Sequence, residues 1–326
     1  MTSRINSEAV IECVPNFSEG ADAAKVAQIV AAMRVDGVRL LDWSMDAAHN
    51  RSVVTIAGPA AAVVESALRG VGRAAELIDL TRQSGVHPRI GAADVVPFVP
   101  VSGVSLAECA MLARQAGLEI WRRYGVPVYF YEAAAARPDR INLEDVRRGQ
   151  FEGLLESAAR DAGRRPDIGG PEIHRTAGAT AVGARRFLVA YNIYLETAKP
   201  AGHSSTDLPA AAQADIAAAR AIARAIRASA GGLHGVKAIG VSVNGRAQVS
   251  MNITDFRATP MRQIHAAVRE LARNHGAVAT EGEIVGLIPL EAYEPESEWI
   301  RDIPNFDAEA KVLERKLNNP LPWPAG

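Results

Sequence analysis

Val236–Phe256 reads VKAIGVSVNGRAQVSMNITDF. Asn244-Gly245 lies between two runs of alternating residues, and an Asn-Gly pair supplies the two left-handed positions of a type I′ turn, the strongest short-range hairpin signal. The spacing predicts strands over Val236–Val243 and Ala247–Phe256. Side chains alternate at period two, so Gln248, Ser250, Asn252 and Thr254 fall on one face and Val249, Met251 and Ile253 on the other. Helices are expected over the apolar face. The polar face reads either as an ordinary solvated surface or, being rich in amides where Lys and Glu are usual, as one wall of a ligand site.

Working outward, Pro209–Ala228 places Ile216, Ala219, Ala223 and Ile226 on one helical stripe and stops at Gly231-Gly232. Before it, Arg186–Thr197 reads as a strand with Asn192 and Tyr194 opposing Val189, Tyr191 and Ile193. After the hairpin, Thr259 and Pro260 are expected to cap and start a helix with Ile264, Val268 and Leu271 inward, ended by Gly276, and Glu283–Pro289 to form the last strand. The order is β-α-β-β-α-β, the ferredoxin-like split pattern.

The first half repeats this plan. Ala9–Val14 reads as a strand, Asp22–Met33 as a helix, and Gly37–Asp46 and Ser52–Ala57 as strands; a helix follows with Val64, Leu68, Val71, Ala75 and Ile78 in one stripe. Val95–Val101 is a further strand, expected to be short or at an edge because it holds Pro97 and Pro100. Ser105 and Glu108 form a capping box for a helix that buries Cys109, Ala113, Ala116 and Ile120, closes at Gly125 and leads to a strand over Val126–Glu132. The expected fold is α+β, two tandem ferredoxin-like subdomains spanning 1–180 and 181–326. The second includes a tail with a short helix over Asp307–Leu317 and three prolines, 320, 322 and 324, that reads as a strap. Gly163–Gly183, GRRPDIGGPEIHRTAGATAVG, is the expected boundary. It reads as a flexible linker or, because Arg164, Arg165, His174 and Arg175 stand among glycines, as a connection that contacts a ligand.

Between the two stretches lies Ile78–Val101, IDLTRQSGVHPRIGAADVVPFVPV. Gly85 and Gly91 permit unusual backbone angles, and Pro88 fixes its own φ and biases His87 away from helix. A stiff loop holding an imidazole suits a general acid or base, which must be kept within reach of its proton and titrate near neutrality. The residues alone equally allow a surface or capping histidine.

The bulk properties narrow the classes. A chain of 326 residues suits two domains, and 48% hydrophobic with 22% charged residues is the balance of a globular protein. A net charge of −1 argues against nucleic acid as partner. No signal-peptide core or bilayer-length apolar run is seen, so neither export nor membrane is expected. Cys13 and Cys109 have no metal-binding spacing, and a cytoplasmic setting is the natural reading.

Eight segments, in order, resemble the glutamate formimidoyltransferase family, which includes the transferase portion of formimidoyltransferase-cyclodeaminase. They are IECVPNFSEG (11–20), LLD (40–42), HNRSV (49–53), HPRIGAADVVPFVP (87–100), VPVYFYEAAA (126–135), VGARRFLVAYN (182–192), AQVSMNITDF (247–256) and VGLIPL (285–290). The resemblance implies two ferredoxin-like subdomains with folate in a tunnel between their sheets. It implies transfer of a formimino group from N-formimino-L-glutamate to N5 of tetrahydrofolate, a step of histidine degradation, without a metal. His87 takes the catalytic place, and folate contacts fall on Gly169, Gly170, Pro171, Glu172, Ile173, His174, Arg175, Thr176, Ala177 and Gly178. A homodimer is expected, as is a separate protein for cyclodeaminase activity. One position departs: an acidic residue of the animal form, two places after LLD, is Ser44 here, and Asp46 is the candidate to replace it.

The chemistry adds candidates. The formimino group is a cation, for which Asp42, Asp46 and Asp94 are possible carboxylates. The glutamate carboxylates call for guanidinium groups, for which Arg51, Arg89 and Arg185 are candidates, each reading equally as an ion pair or strand-end cap. Asn16, Asn50, Asn192, Gln248 and Asn252 are candidate neutral contacts. Three alternatives stand beside this reading: a formyl transferase using N-formylglutamate, a metal-dependent hydrolase with His49, His87 and an aspartate as ligands, and a folate-binding module without turnover. No HExxH or HxH spacing supports the hydrolase.

Overall fold

Local signals of the kinds above start and stop most elements. The structure is a computed structural model that describes residues 9–47, 49–85, 88–197 and 208–325, without the side chains of 197 and 208–214. The chain divides into two units, residues 1–186 with 319–326, and residues 187–318.

In the first unit, β1 (Val10–Cys13) and β2 (Asn16–Phe17) are two pieces of one line interrupted at Val14-Pro15. Helix α1 (Ala23–Ala32) begins where Asp22 accepts from the N–H groups of Ala24 and Lys25. Strands β3 (Arg39–Asp46) and β4 (Arg51–Pro59) pair antiparallel and lead to α2 (Ala60–Leu77) and β5 (Ala93–Ser102). Helix α3 (Leu106–Tyr124) opens on the Ser105/Glu108 capping box and ends at left-handed Gly125. Strand β6 (Val128–Glu132), the short helices α4 (Leu143–Val146) and α5 (Gln150–Ser157), and β7 (Thr180–Ala184) follow. Across the sheet the order is β3, β4, the β1/β2 line, β5, β7, β6; the β5–β7 and β6–β7 pairings are parallel and the rest antiparallel.

The sheet buries one face. Cys13, Leu40, Ile56 and Phe98 lie on it in register, joined in the core by Val63, Ala67, Leu68, Val71 and Ala74 of α2 and by Cys109, Ala113, Ala116 and Ile120 of α3. Of the expected stripe, Leu68, Val71 and Ile78 are buried and Val64 and Ala75 only partly so, Val63, Ala67 and Ala74 completing the buried face.

The segment expected as a linker is neither loose nor between units. Val128 N–H donates to Ile168 O (2.9 Å), and the chain then enters the sheet as β7, which turns β5 into an interior strand. The edge position expected from its prolines is therefore wrong. Along β5, Pro97 O accepts from Val14 N–H (3.3 Å) while Phe98 O accepts from Arg185 N–H (3.1 Å), so alternate residues face opposite neighbours. Pro97 turns its missing donor toward the break between β1 and β2. Pro100, in step with Phe98, faces past Ala184, where β7 has ended.

The second unit comprises β8 (Val189–Thr197), α6 (Leu208–Ile226), β9 (Val236–Val243), β10 (Arg246–Ile253), α7 (Met261–Asn274) and β11 (Ala277–Val285). Three short helices follow: α8 (Glu298–Arg301), α9 (Ala308–Lys311) and α10 (Leu313–Lys316). The order β11-β8-β10-β9 is antiparallel throughout, and Asn244 (φ 52°) and Gly245 (φ 79°) make the expected turn. Numbering the strands β8, β9, β10, β11 as one to four, the order is four-one-three-two. In the first unit β1, β3, β4 and β5 stand in the same order, with β7 and β6 added beyond β5. Val189, Tyr191, Ile193, Val249, Met251 and Ile253 form the buried face with Ile222, Ile226, Ile264, Val268 and Trp299.

Four expectations need correction. The last strand starts at Ala277, and a bulge between Ala279 and Gly282 hid its period. Thr259 does not cap α7; its hydroxyl donates to His234 O (2.7 Å). The helix expected over Asp307–Leu317 is split because the Ile288 backbone takes Lys311 O (2.9 Å) and Leu313 N–H (2.8 Å). The division at 180/181 moves to 186/187, and the end of the tail joins the first unit, where Leu321 N–H donates to Leu40 O (2.7 Å) and Leu321 and Trp323 pack on its core.

Candidate active site

The expected catalytic residue, His87, lies with Val86 outside the described residues, but the segments before and after them are described and are fastened from several sides. Asn50, between β3 and β4, has a left-handed φ of 49°, which Asn adopts more readily than most residues. Its Oδ1 accepts from Gly20 N–H (2.9 Å), and its Nδ2 donates to Gln83 Oε1 (2.5 Å) and Ser84 O (2.9 Å). Gly85 sits so close to this turn that a Cβ there would stand 2.6 Å from His49 O. On the far flank, Arg89 Nη2 donates to Gln83 O (2.8 Å) and pairs with Glu152 (3.1 Å). Gln83 and Arg89 are thus tied directly to each other. Asn50 and Arg89, expected among substrate contacts, commit these groups to the protein itself.

Glu19 completes the fastening and was not singled out from sequence. It is almost fully buried, accepts from Gln83 Nε2 (2.9 Å), and pairs with Lys25 (3.3 Å). Burial pushes its carboxyl up, but the N–H groups of Asp22 and Ala21 together with Gln83 and Lys25 hold it below the ordinary value. Ser18 adds two bonds, its hydroxyl donating to Gly91 O (2.7 Å) and its N–H to Ala92 O (2.9 Å).

The segment Gly169–Gly178 meets the same loop. Leu80 N–H donates to Thr176 O (2.9 Å), Ala92 N–H to Ala177 O (2.8 Å), and Ala179 N–H to Ile90 O (2.9 Å). His174 closes this segment on itself: its backbone exchanges bonds with Gly178, and its Nδ1 accepts from Ala177 N–H (3.0 Å). Ile173, Ala177 and Gly178 are buried, whereas Gly170, Pro171, Glu172 and Arg175 are exposed.

On the face of the first sheet opposite the core, register brings several expected residues together. Asn16 pairs with Val53, Val53 with Ser44, Asp42 with Thr55, and Asp46 with Arg51, and directly opposed residues share a face. Asp42, Ser44 and Asp46 therefore project from one side of β3. Asp46 accepts from His49 Nδ1 (2.7 Å) and His49 N–H (2.9 Å). Asn16 Nδ2 donates to Val14 O (2.9 Å).

Asp94 is turned inward. It is buried, accepts from Ile90 N–H (2.8 Å), and is ion-paired with Arg147, a residue the sequence gave no reason to single out. Arg51 lies in the same neighbourhood. Burial, and then the adjacent Arg147 charge, lower its pKa, while Asp94 and Asp46 offset them. Two guanidinium groups thus stand close together between Asp94 and Asp46, and the buried Nε of Arg147 has no hydrogen-bond partner among the described residues. Arg185 donates to Arg186 O (3.1 Å), and its charge, with that of Arg147, opposes the burial that pushes the Tyr131 hydroxyl up to about 12.

In the second unit, Asn192, Gln248 and Asn252 share the polar face of their sheet with Tyr194 and Glu283. Asn192 and Gln248 are buried; Asn252 and Glu283 are exposed. Among the described residues, no three His, Cys, Asp or Glu side chains form a group able to hold a metal ion, and no helix is long and apolar enough to cross a membrane.

Comparison with known proteins matches residues 10–185 to the N-terminal subdomain of the formiminotransferase domain and residues 190–309 to the formiminotransferase domain. The chain is similar to the glutamate formimidoyltransferase of Streptococcus pyogenes, 40% identical over 94% of this chain and 98% of the relative. It is similar to that of Thermoplasma acidophilum, 39% identical over 94% and 97%. It also matches the formimidoyltransferase-cyclodeaminase of Mus musculus at 36% identity over 87% of this chain, covering 51% of that protein.

Proposed function

Because the chain belongs to the formiminotransferase family, we propose that it moves the formimino group of N-formimino-L-glutamate to N5 of tetrahydrofolate. The observation that carries this reading is similarity along almost the whole length to glutamate formimidoyltransferases. The fastened segments before and after residues 86 and 87 support it, since general acid–base work needs a group held at fixed distance.

In the proposed mechanism, His87 accepts the proton that N5 loses as it adds to the amidine carbon. It then returns a proton to the glutamate nitrogen as that carbon–nitrogen bond breaks. Asp42 and Asp46, on one face of β3 with Ser44 between them, offer negative charge to the formimino cation, Asp46 filling the part that Ser44 cannot. Arg51 with Arg147 offers positive charge to a glutamate carboxylate. Exposed Glu172 and Arg175 are the polar side chains of the Gly169–Gly178 segment available to folate. The finer fold belongs to the same proposal: two tandem ferredoxin-like subdomains, which the shared strand order supports. So do a homodimer and a cytoplasmic setting, the latter supported by two buried free cysteines.

The test is an assay of the purified protein with tetrahydrofolate and either N-formimino- or N-formyl-L-glutamate, with and without a chelator. Formation of 5-formiminotetrahydrofolate that is insensitive to chelation is the expected result. Transfer from the formyl donor alone would move the assignment to a formyl transferase, and folate-independent release lost on chelation would move it to a hydrolase.

A further inference from the structure

On the polar face of the second sheet, three donors from two strands converge on one carboxylate. Asn192 Nδ2 (3.1 Å) and Tyr194 Oη (3.4 Å) on β8, and Gln248 Nε2 (3.4 Å) on β10, all donate to Glu283 Oε2 on β11. An ionised carboxylate only accepts, so both amides must turn their NH2 ends toward it. That leaves Asn192 Oδ1 and Gln248 Oε1 as acceptors beside Glu283 Oε1, none of which meets a donor among the described residues. Neither does a Lys or Arg among them pair with Glu283. The amides are 8% and 3% exposed, and buried amides are costly to place unless their hydrogen bonds are made. Here they are used to orient a solvent-facing charge. The result is a set of oriented acceptors around a carboxylate that no Lys or Arg among the described residues ion-pairs, although Arg246, stacked 4.3 Å over Tyr194 and paired with Glu281, and Lys311 line the same pocket.

We propose that Glu283, oriented by Asn192, Gln248 and Tyr194, binds a planar substrate edge carrying two or more N–H donors. This rests on the proposed function for its candidates, which share that chemistry: the amidine of the formimino donor and the aminopyrimidinone edge of the folate. A carboxylate accepting paired N–H groups makes short, charge-assisted bonds that a neutral amide replaces poorly.

The test titrates tetrahydrofolate and N-formimino-L-glutamate separately into wild type, Glu283→Gln and Glu283→Ala, with thermal midpoints as the folding control. Glu283→Gln is expected to weaken one ligand about tenfold or more and leave the other within about twofold, the affected ligand identifying the edge bound. Gln248→Ala, which frees the carboxylate without removing it, is expected to weaken the same ligand by a smaller factor. Both dissociation constants within about twofold of wild type in the two Glu283 variants would overturn the proposal, as would equal loss of both. If wild type binds neither substrate, the family reading itself fails. Chemical-shift titration with acetamidine and 2-amino-4-hydroxypyrimidine then decides the patch, and equal binding of both to wild type and Glu283→Gln overturns it.

Discussion

Replacing Asn50 by Ala removes three hydrogen bonds at once, those to Gly20, Gln83 and Ser84, and leaves Ala in a left-handed conformation. Partly exposed bonds of this kind are worth roughly 0.5–1 kcal/mol net each, and the backbone adds about 1 kcal/mol. The total, about 2.5–4 kcal/mol, falls on a local opening, because these bonds join the Gln83–Gly85 flank to the turn beneath it. At about 1.4 kcal/mol per tenfold, the open population of this loop rises roughly 60- to 700-fold. Native-state hydrogen exchange at Gln83, whose N–H donates to Leu80 O (3.4 Å), should accelerate by that factor. The turnover number should fall while KM for the formimino donor stays within about threefold. Asn50→Gly separates the two causes, since glycine accepts the left-handed φ and loses only the bonds. If Asn50 instead touches substrate, KM rises and exchange at Gln83 is unchanged; that result refutes the reasoning.

Other substitutions probe the frame. Arg140 is buried, ion-paired with Asp167 (2.7 Å) and stacked 5.0 Å over Tyr129, so Arg140→Ala strands a buried carboxylate and should cost about 3 kcal/mol in urea unfolding. Glu19 has a depressed folded pKa, so its contribution to stability is present above the usual carboxylate range and is lost as pH falls through that depressed value. Wild type should therefore exceed Glu19→Gln in stability at pH 7 and lose that advantage in acid, as unfolding curves at the two pH values would record. A Cβ at Gly91 would stand 2.1 Å from Ala179 O, so Gly91→Ala should lower stability by about 2–3 kcal/mol in the same assay and loosen the Leu80–Ala92 loop.

Which features could be read from sequence follows from how local their causes are. The Asn244-Gly245 turn, the Ser105/Glu108 box and the alternation along β10 depend on neighbours a few residues apart, and all are found in place. The insertion of β7 beside β5 does not, because parallel pairing joins Val95 to Ala181 with no turn to announce it. The prolines of β5 misled for the same reason, since what makes them tolerable is where two other strands end. In the site, the Asn50–Gln83 and Asp94–Arg147 contacts join residues that nothing in local spacing relates. Glu283 read as the first residue of a strand rather than as a group that three donors orient. His87 itself was open on its residues, and only the family resemblance assigned it a role.

The most direct measurement of the central claim compares wild type with His87→Ala for formimino transfer to tetrahydrofolate, alongside the dissociation constant for tetrahydrofolate. The account predicts a loss of about 10²-fold or more in turnover, the usual worth of a positioned general acid–base, with folate affinity within about twofold. Turnover within about threefold of wild type would contradict it.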